Sequence, residues 1–501
     1  MSTKFNETLF LIKSSVQLPS INAETCPWPE LGAAERVKLF KVFLSMRRDI
    51  LAVDVGTTAF KIGVFGPDLQ KRCETSREYQ INLYDQGKAD IETEKWWQAL
   101  KDCCIEIREF LPKVGIVSFS VTTPGLVPMD EDGNALGPAI LMLDGRSHKQ
   151  AREIRELVGE EKFLRETCNL PVSGGSSLCS ILWIRENQPE IWNATKKFGH
   201  CNTYMVKRFT GQWAIDPSTT SITGLYNTVR HDLTWNRDVL AIAGIPENKL
   251  PPLFQSYHNV GNILPEVASE LGLPKDCDVL CGGNDAVLAA LSGGFTAPGD
   301  INYICGTCEI TNVCVEKPIS SRNFNVRCHV IPNRWVTFFV LNTGGLALEW
   351  FHSVFCRDMT RDQFFDDYVP SALENFLHSE NPDRLEAEIP EWVPFLQGSR
   401  YSLEQLKASF SGLTLETTRE HILLALIKGN SIYQGQHTKE VAGLVKLGRK
   451  VMTSGGGAKI RNLLKVKKRW MGGDFEYEYQ DQSSLLGAAL LGQFYQTGSY
   501  I

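Results

Sequence analysis

Five residues near position 50 have side chains that suit phosphate and metal binding. They are Asp54, Gly56, Thr57, Thr58 and Lys61. The glycine lets backbone come close to a ligand, and the threonine hydroxyls with the turn amides can donate to phosphate oxygens. Asp54 can hold a hydrated Mg²⁺, and Lys61 adds positive charge beside it. Because β-branched apolar runs flank the segment, it predicts a β-hairpin that clasps a phosphate, although an ordinary hairpin with a threonine-rich turn fits equally well.

Asp285 is a second chemical candidate, since it follows Gly282-Gly-Asn and begins an apolar helical segment. A glycine turn can present a side chain into a cleft, which makes Asp285 a candidate general base for a hydroxyl group. The positive end of the helix would keep this carboxylate ionised. Helix N-caps also prefer aspartate, and on the local pattern alone the cap is the better interpretation.

A second hairpin pattern, 301–305 and 310–315, surrounds Gly306 and Thr307 and repeats the organisation of the first. Phosphoryl transfer needs donors around the phosphates, and the chain has no Gly-x-x-x-x-Gly-Lys-Ser/Thr loop to supply them. The two hairpin turns together therefore predict a phosphate cradle. The triple glycine at 455–457 would let backbone approach a flat adenine or ribose face, whereas a plain turn would need fewer glycines.

Composition restricts the class of protein. The chain has 501 residues, of which 43% are hydrophobic and 22% charged, enough for two globular domains with large cores. A net charge of −6 argues against nucleic acid as a main partner. We interpret the basic run 459–469 mainly as a solvated helix face, with attraction of an anionic nucleotide as a minor alternative. No apolar run approaches about 18 residues, so no membrane span is expected.

The fourteen cysteines are scattered rather than spaced as a disulfide framework, and the first residues lack a secretory pattern. Reduced thiols in a cytoplasmic protein fit this distribution best. Cys305 and Cys308 have redox or zinc spacing, but no second pair or histidine cluster follows. Two buried small residues flanking the phosphate turn are the better interpretation.

Regular elements should hold these residues in place. Apolar periodicity predicts helices over 96–111, 285–291, 422–433 and 483–494, and strands over 114–121, 279–282 and 451–454. Residues 1–48 contain none of the motifs and form an N-terminal extension of unknown role, with an amphipathic helix predicted over 31–47. We place an N-terminal domain at 49–290 and a C-terminal domain at 291–501, with Asp285 at the seam.

The motifs also occur in a recognisable order. They are Asp54-Val-Gly-Thr-Thr58, Pro124-Gly-Leu-Val-Pro-Met-Asp130, Asp144-Gly-Arg146, Asp216-Pro-Ser-Thr-Thr-Ser221, Gly282-Gly-Asn-Asp285, Gly306-Thr307, Gly344-Gly-Leu-Ala-Leu-Glu-Trp350, Gly412-Leu-Thr-Leu-Glu-Thr-Thr-Arg419 and Gly455-Gly-Gly-Ala-Lys459. This series resembles the FGGY family of carbohydrate kinases, which belong to the actin/Hsp70/hexokinase-like superfold. The resemblance runs from residue 49 to about 494. It implies an α/β fold with two actin-like (ribonuclease H-like) domains and a nucleotide and sugar cleft between them.

The resemblance also implies a reaction and its residues. It implies an ATP- and Mg²⁺-dependent kinase for a small-molecule sugar, with Asp285 as the catalytic base. The cofactor contacts would be Gly56, Thr57, Thr58, Lys61, Gly306, Thr307, Gly456, Gly457, Ala458 and Asn462. The substrate contacts would be Thr123, Pro124, Asp144, Arg146 and Asp285, and the metal ligands would be Asp54 and Asp285.

The acceptor pocket departs from the family pattern. Ala286 replaces the usual Asn or Gln after the base, and Thr123 with Pro124 replaces the Met-His or Gln-His of xylulose kinases. The expected acceptor is a ketose (a pentulose such as xylulose or ribulose foremost), a polyol or a sugar acid, while glycerol is disfavoured. Asp144 and Arg146 could instead form a structural ion pair.

Three further alternatives stay open at the level of the sequence. The chain could be a catalytically silent relative of these kinases. It could also be a nucleotide-binding chaperone or filament protein of the same superfold. A homodimer is left open.

Overall fold

Twenty strands form the sheets of the chain. They are β1 (Asp49–Val55), β2 (Ala59–Phe65), β3 (Lys71–Glu78), β4 (Asn82–Tyr84), β5 (Lys88–Ile91), β6 (Val114–Val121), β7 (Gly125–Met129), β8 (Ala139–Leu141), β9 (Lys197–Gly199), β10 (Asn259–Asn262), β11 (Asp278–Leu280), β12 (Gly283–Asn284), β13 (Ile301–Cys305), β14 (Glu309–Val315), β15 (Asn325–Cys328), β16 (Trp335–Leu341), β17 (Glu391–Val393), β18 (Ser409–Ser411), β19 (Lys450–Ser454) and β20 (Glu476–Tyr479). This computed structural model describes residues 48–84, 87–404 and 406–498, and the count refers to those ranges. The predicted extension and its helix over 31–47 lie outside the described residues, apart from Arg48.

Sixteen α-helices lie within the same ranges. They are α1 (Glu94–Glu106), α2 (His148–Val158), α3 (Glu160–Thr167), α4 (Ser177–Asn187), α5 (Pro189–Ala194), α6 (Cys201–Thr210), α7 (Pro217–Thr220), α8 (Arg237–Ala243), α9 (Pro265–Leu271), α10 (Asp285–Ser292), α11 (Gly345–Phe355), α12 (Val369–Leu377), α13 (Pro382–Glu388), α14 (Arg419–Ala442), α15 (Leu463–Met471) and α16 (Ser484–Thr497). Short 3₁₀ turns occur at Leu111–Lys113, Glu247–Lys249 and Gly456–Lys459, and a π-helical turn at Gln363–Tyr368. No helix in the described ranges combines the length and the apolar character needed to cross a bilayer.

The two largest sheets repeat one topology. The first has the order β10-β11-β6-β1-β2-β3, and the second has the order β15-β16-β14-β13-β19-β20. In each sheet a hairpin pairs antiparallel (β1 with β2, β13 with β14), and its first strand then pairs in parallel with a later strand (β6 or β19). Both predicted hairpins are therefore confirmed. Because parallel neighbours need a crossover, each half has helices packed on its sheet.

The core lies on both faces of these sheets and between them. Strand β1 is buried along nearly its whole length, as expected for a β-branched run in the middle of a sheet. A cluster between the two sheets contains Ile50 and Leu280 from the first sheet, Val336 from the second, and Leu288 and Leu490 from helices α10 and α16. The two halves are thus joined through apolar packing around these two helices.

The last helix of the chain returns to the first sheet. Helix α16 packs against α10 and against strand β1. A Cβ on Gly487 would lie 2.1 Å from the backbone oxygen of Leu288, and one on Gly492 would lie 2.8 Å from the side chain of Ile50. Glycine at position 487 therefore permits a close approach of α16 to the helix that begins at Asp285.

Most predicted elements agree with the structure, and the differences have physical causes. The strand predicted at 114–121 is β6. Helix α1 ends at Glu106, before the predicted residue 111, and the chain turns through residues 107–110 before the 3₁₀ turn at Leu111–Lys113. Helix α14 is twice as long as predicted because buried polar residues such as Gln434 and His437 continue its inner face and hide the apolar period. The domain boundary at residue 290 remains a prediction.

Candidate active site

Asp285 is the first residue of α10, but it does not cap that helix. Asn284 is the cap, since its Oδ1 accepts a hydrogen bond from the backbone N–H of Val287 at 3.1 Å. The capping interpretation of Asp285 is therefore wrong. Oδ1 of Asp285 accepts from the Ala286 N–H at 2.7 Å and from Asn284 Nδ2 at 2.8 Å. Both contacts fall on Oδ1, which leaves Oδ2 as the oxygen able to accept a proton.

A buried hydrogen-bond network fixes the turn before Asp285. The Asn284 N–H donates to the Ser218 hydroxyl at 2.9 Å, and Oδ2 of Asp216 in turn accepts from the Ser218 N–H at 2.8 Å. Gly282 has φ = +77°, and a Cβ there would lie 2.5 Å from the Phe119 carbonyl oxygen. The Asp216 motif and the glycine turn thus act together to hold the carboxylate that follows them.

The pKa of Asp285 is raised to about 7, first by burial in the cleft and then by the negative charge of Asp54. The Ala286 N–H and the Arg327 guanidinium oppose this rise but do not cancel it. We expected the helix end to keep Asp285 fully ionised, and this was wrong because desolvation and a neighbouring carboxylate outweigh a helix terminus. Asp285 is half-buried, so its free oxygen can reach a ligand.

Asp54, near the end of strand β1, lies close enough to Asp285 for its charge to act on that carboxylate. It is buried, and its Oδ1 accepts from the Ser120 hydroxyl at 2.7 Å. Burial raises the pKa of Asp54, while hydrogen bonds from Ser120 and from Ser484 at the start of α16 lower it. The negative charge of Asp54 raises the pKa of Asp285, so the two carboxylates are a donor set that suits a hard cation.

This pair of carboxylates fits Mg²⁺. Mg²⁺ commonly takes one or two protein carboxylates and fills its other positions with water and substrate phosphate oxygens. No group of three or more His, Cys, Asp or Glu side chains able to hold a metal occurs among the described residues. Asp54 and Asp285 would therefore hold the ion together with a phosphate-bearing ligand.

The first predicted phosphate turn lies beside Asp54. The Thr57 and Thr122 hydroxyl oxygens are 3.1 Å apart, which ties the turn to the end of strand β6. A Cβ on Gly56 would approach the carbonyl oxygen of Ala59 to 2.7 Å, so the turn requires glycine. Thr58 is exposed and keeps its hydroxyl available to a ligand. Lys61 is exposed and stands opposite Asp54 in the hairpin register.

The second turn and the triple glycine meet in one cavity of about 800 Å³. Gly306, Thr307, Gly456 and Gly457 all line it. A Cβ on Gly456 would meet no atom within 4 Å, whereas one on Gly457 would lie 2.6 Å from the Cys305 sulfur. Backbone therefore forms this wall, and the space in front of it suits a flat ring system such as a nucleoside.

Two other residues predicted to contact the nucleotide, Ala458 and Asn462, follow the triple glycine in the chain. Ala458 is packed on the core beside the triple glycine. Asn462 adopts the left-handed conformation, with φ = +69°, at the start of α15 and is not among the residues that line the cavity. Their contact with a nucleotide remains a prediction.

The cavity also has a buried ion pair in its lining. Nζ of Lys467 lies 2.7 and 2.8 Å from the two carboxylate oxygens of Glu309, and each side chain is 3% exposed. The Tyr303 hydroxyl donates to the same carboxylate at 2.6 Å. The solvated-face interpretation of 459–469 is therefore wrong for Lys467, which belongs to the inner face of α15.

The predicted acceptor residues Thr123 and Pro124 are buried at the end of strand β6. The Thr123 hydroxyl oxygen accepts from Asn284 Nδ2 at 2.8 Å and from Arg327 Nη1 at 2.7 Å. Since both contacts are accepted, the hydroxyl hydrogen remains free to donate. Thr123 thus lies between the turn that carries Asp285 and a residue of the second sheet.

Asp144 and Arg146 form an ion pair, as the structural alternative predicted. Nε of Arg146 lies 2.8 Å from Oδ2 of Asp144, and its Nη2 lies 2.8 Å from Asp90. The guanidinium also lies over the ring of Trp183 at 5.1 Å. Contact of either side chain with an acceptor remains a prediction.

Two arginines of the site were not identified from the sequence. Arg327 lies on the short strand β15, and Arg400 lies on a loop before β18. A single arginine between the buried residues Val326 and Cys328 was the available signal, because arginine is rarely buried without a charged partner.

Comparison with known proteins gives an independent view of the chain. Residues 50–292 match the model for the N-terminal domain of the FGGY family of carbohydrate kinases. The chain is 26% identical over 474 residues to a gluconokinase of Bacillus subtilis, covering 90% of this chain and 88% of the relative. It is 28% identical over 458 residues to a xylulose kinase of Staphylococcus epidermidis, covering 89% and 87%.

The fold also has a close match among solved structures. A xylulose kinase from Rhodospirillum rubrum superposes with a TM-score of 0.81 at 21% identity, covering 89% of this chain and 90% of that one. This likeness concerns the fold, and it confirms the predicted α/β architecture with two actin-like halves.

Proposed function

Because this chain belongs to the FGGY family of carbohydrate kinases, we propose that it transfers the γ-phosphoryl group of ATP to a hydroxyl of a ketose, polyol or sugar acid. We also propose that the protein acts in the cytoplasm. The observation that carries it is the state of Asp285, which has one free carboxylate oxygen and a pKa of about 7.

Asp285 would accept the proton of the attacking hydroxyl at Oδ2. A base with a pKa near the working pH combines a large ionised fraction with good proton affinity. The hydrogen bonds from Ala286 and Asn284 fix the other oxygen and so orient the carboxylate. Thr123 can donate its hydroxyl hydrogen to the same acceptor.

The two hairpin turns and the cavity wall would position the nucleotide. Thr57 and Thr58 would donate to the phosphates from the first half, and the Gly306-Thr307 turn from the second. Mg²⁺, held by Asp54 and Asp285 with phosphate oxygens, would supply charge neutralisation when bound. Approach of the two halves would exclude water, since an open cleft would waste ATP by hydrolysis.

The test is the substitution Asp285→Asn in the full chain, assayed for acceptor-dependent ADP release. We expect turnover to fall by roughly 10²- to 10⁴-fold, with nucleotide binding kept, because the amide has the same shape but no basic oxygen. Asp132→Asn, at an exposed turn, is the matched control and should leave turnover unchanged. Undiminished turnover in Asp285→Asn would remove Asp285 from the mechanism.

A further inference from the structure

Two arginines near the proposed base contact only neutral groups. Arg327 is 8% exposed, and its Nη1 donates to the Thr123 hydroxyl at 2.7 Å and to the Ser218 carbonyl at 3.4 Å. Its guanidinium also lies 5.2 Å from the ring centre of Phe338. Its buried Nε has no hydrogen-bond partner in the described part of the chain.

Arg400, on the loop before β18, lies close enough to Arg327 for its charge to act on that guanidinium. Its Nε donates to the Asn342 side-chain oxygen, and its Nη1 lies 3.1 Å from the Met142 sulfur. Its Nη2 lies 3.6 Å from the sulfur of Cys308. Met142 precedes Asp144 in the chain and Cys308 follows the second phosphate turn, so Arg400 stands between the acceptor side and the phosphate side.

The two guanidinium groups are close enough to affect each other. Burial and the charge of Arg400 lower the pKa of Arg327, the carboxylates of Asp285 and Asp216 raise it, and the net value is about 10. Arg327 therefore remains a cation at neutral pH. Asp285 is near it but not in contact, and ionised Asp285 would also be paired with the metal.

This arrangement is costly without a ligand. A buried guanidinium with an unused N–H and a second cation nearby carries a desolvation penalty that neutral contacts do not offset. A carboxylate would offset it, because arginine binds carboxylates through two parallel hydrogen bonds. The hydroxyls of a neutral ketose or polyol can accept hydrogen bonds but cannot neutralise the charge.

We propose that the acceptor is a sugar acid, a polyhydroxy carboxylate whose carboxylate group is held by Arg327 and Arg400 while a hydroxyl faces Asp285. This inference rests on the proposed kinase function and narrows its acceptor class. Arg327 and Arg400 are then the residues that determine specificity. The competing occupant of the pair is an oxyanion of the transferred phosphoryl group, which every acceptor would share.

The experiment compares acids with neutral compounds of matched carbon skeleton. ADP release by the full chain is measured with D-gluconate against D-glucitol, D-xylonate against xylitol, and D-xylulose and D-ribulose as ketoses. We expect the best acid to exceed its neutral partner in kcat/KM by at least about tenfold. Isothermal titration with D-gluconate and D-glucitol, without nucleotide, should show the same preference in binding.

Variants assign the preference to the arginines. Arg327→Met should lower kcat/KM for the acid by about 10- to 100-fold more than for the neutral partner, chiefly through KM. Arg327→Lys should recover part of the loss, because lysine restores the positive charge but not the paired N–H donors of the guanidinium group. Arg400→Met is the second variant in case Arg327→Met does not fold, and exposed Arg357→Met is the matched control.

Each outcome separates this inference from the proposed function. Equal losses for acid and neutral acceptor would assign the guanidinium groups to the phosphoryl group and overturn the inference. A parent enzyme that prefers a neutral ketose or polyol to every acid would also overturn it, and both results would leave the kinase function intact. Absence of acceptor-dependent ADP release with every compound would overturn the proposed function, and this inference with it.

Discussion

Among single residues, Asp285 should make the activity depend on pH. Its pKa is raised from about 4 to about 7, so the carboxylate gains a proton as the pH falls through neutrality. Only the ionised form can accept the acceptor's proton. We therefore expect kcat/KM for MgATP, which reports the enzyme before the metal binds, to be level above about pH 7.5 and to fall about tenfold per unit well below pH 7.

The measurement is kcat/KM for MgATP between about pH 5.5 and 8.5 at a saturating concentration of the acceptor. Thermal unfolding recorded over the same range separates titration from loss of the folded state. A profile that stays flat down to pH 5.5 would show that the carboxylate titrates at its ordinary value.

The buried pair of Lys467 and Glu309 should matter for stability. Lys467→Met would leave the Glu309 carboxylate buried without its cation, which costs about 3–5 kcal/mol in the free energy of unfolding. Adding Glu309→Gln should recover much of that loss, because it removes the uncompensated charge. Urea unfolding measures both effects.

The neighbouring residue provides the control for this prediction. Lys468 is exposed on the same helix, so Lys468→Met should change the free energy of unfolding by no more than about 0.5 kcal/mol. Equal effects of the two lysine substitutions would contradict the account given for the pair.

The sequence predicts the chemical residues better than their environments. Asp285 and the glycine turns can be singled out because each belongs to a short contiguous motif, and it is the order of the motifs along the chain that favours a kinase site over a helix cap or an ordinary hairpin. The direction of the pKa shift at Asp285 cannot, because Asp54 lies more than 200 positions earlier and only the fold brings the two together. Arg327 is missed for a similar reason, since its neighbours Thr123 and Ser218 come from the other half of the chain.

Among the elements, the contact between α10 and α16 positions Asp285, the proposed base. A Cβ on Gly487 would lie 2.1 Å from the Leu288 carbonyl oxygen, which belongs to backbone and cannot simply rotate away. Gly487→Ala should therefore push the helices apart and lower the free energy of unfolding by about 1–3 kcal/mol, despite the better helix propensity of alanine. Because α10 carries Asp285, kcat should fall by tenfold or more.

Gly137→Ala is the matched control for this substitution. A Cβ at position 137 would meet its nearest atom at 3.7 Å, an ordinary contact. Circular dichroism melts and kcat are compared for both variants and the parent. If Gly487→Ala kept parental kcat and stability, the close approach would have no role in positioning Asp285.

Element boundaries could be predicted where one face or both faces are uniformly apolar. Strand β6 is fully buried, and its predicted and observed bounds coincide. The full length of helix α14 could not be predicted in this way, because its inner face changes from apolar residues to hydrogen-bonded polar ones. Examples are Gln434, which bonds to Thr311, and His437, which bonds to Thr337. Periodicity reports apolar burial, so it does not detect a polar side chain buried with a partner.

For the whole molecule, the path of α16 makes the N-terminal half dependent on the end of the chain. A fragment of residues 48–295 would leave Ile50, Ala52 and Leu288 without the helix that packs on them. We expect this fragment to bind a hydrophobic dye and to unfold without a sharp transition, because an apolar face of this kind is uncovered.

Joining residues 483–498 to the fragment through a flexible linker should restore a cooperative melt and reduce dye binding. The same fusion with Leu485→Asp and Leu491→Asp is the control, since both leucines are buried on α16. A fragment that already melts cooperatively without the added helix would show that the N-terminal half is independent.

The position of α16 also sets an order of events during synthesis on the ribosome. More than 400 residues separate strand β1 from the helix that covers it, and at about 5–20 residues per second the strand waits roughly 20–90 s for its cover. Strand β1, the first strand of the described part of the chain, is thus covered only when synthesis reaches α16, and its apolar face needs protection until then. Loss of only helix α16, through an early stop codon, should therefore be as damaging to activity as loss of Asp285, the proposed base.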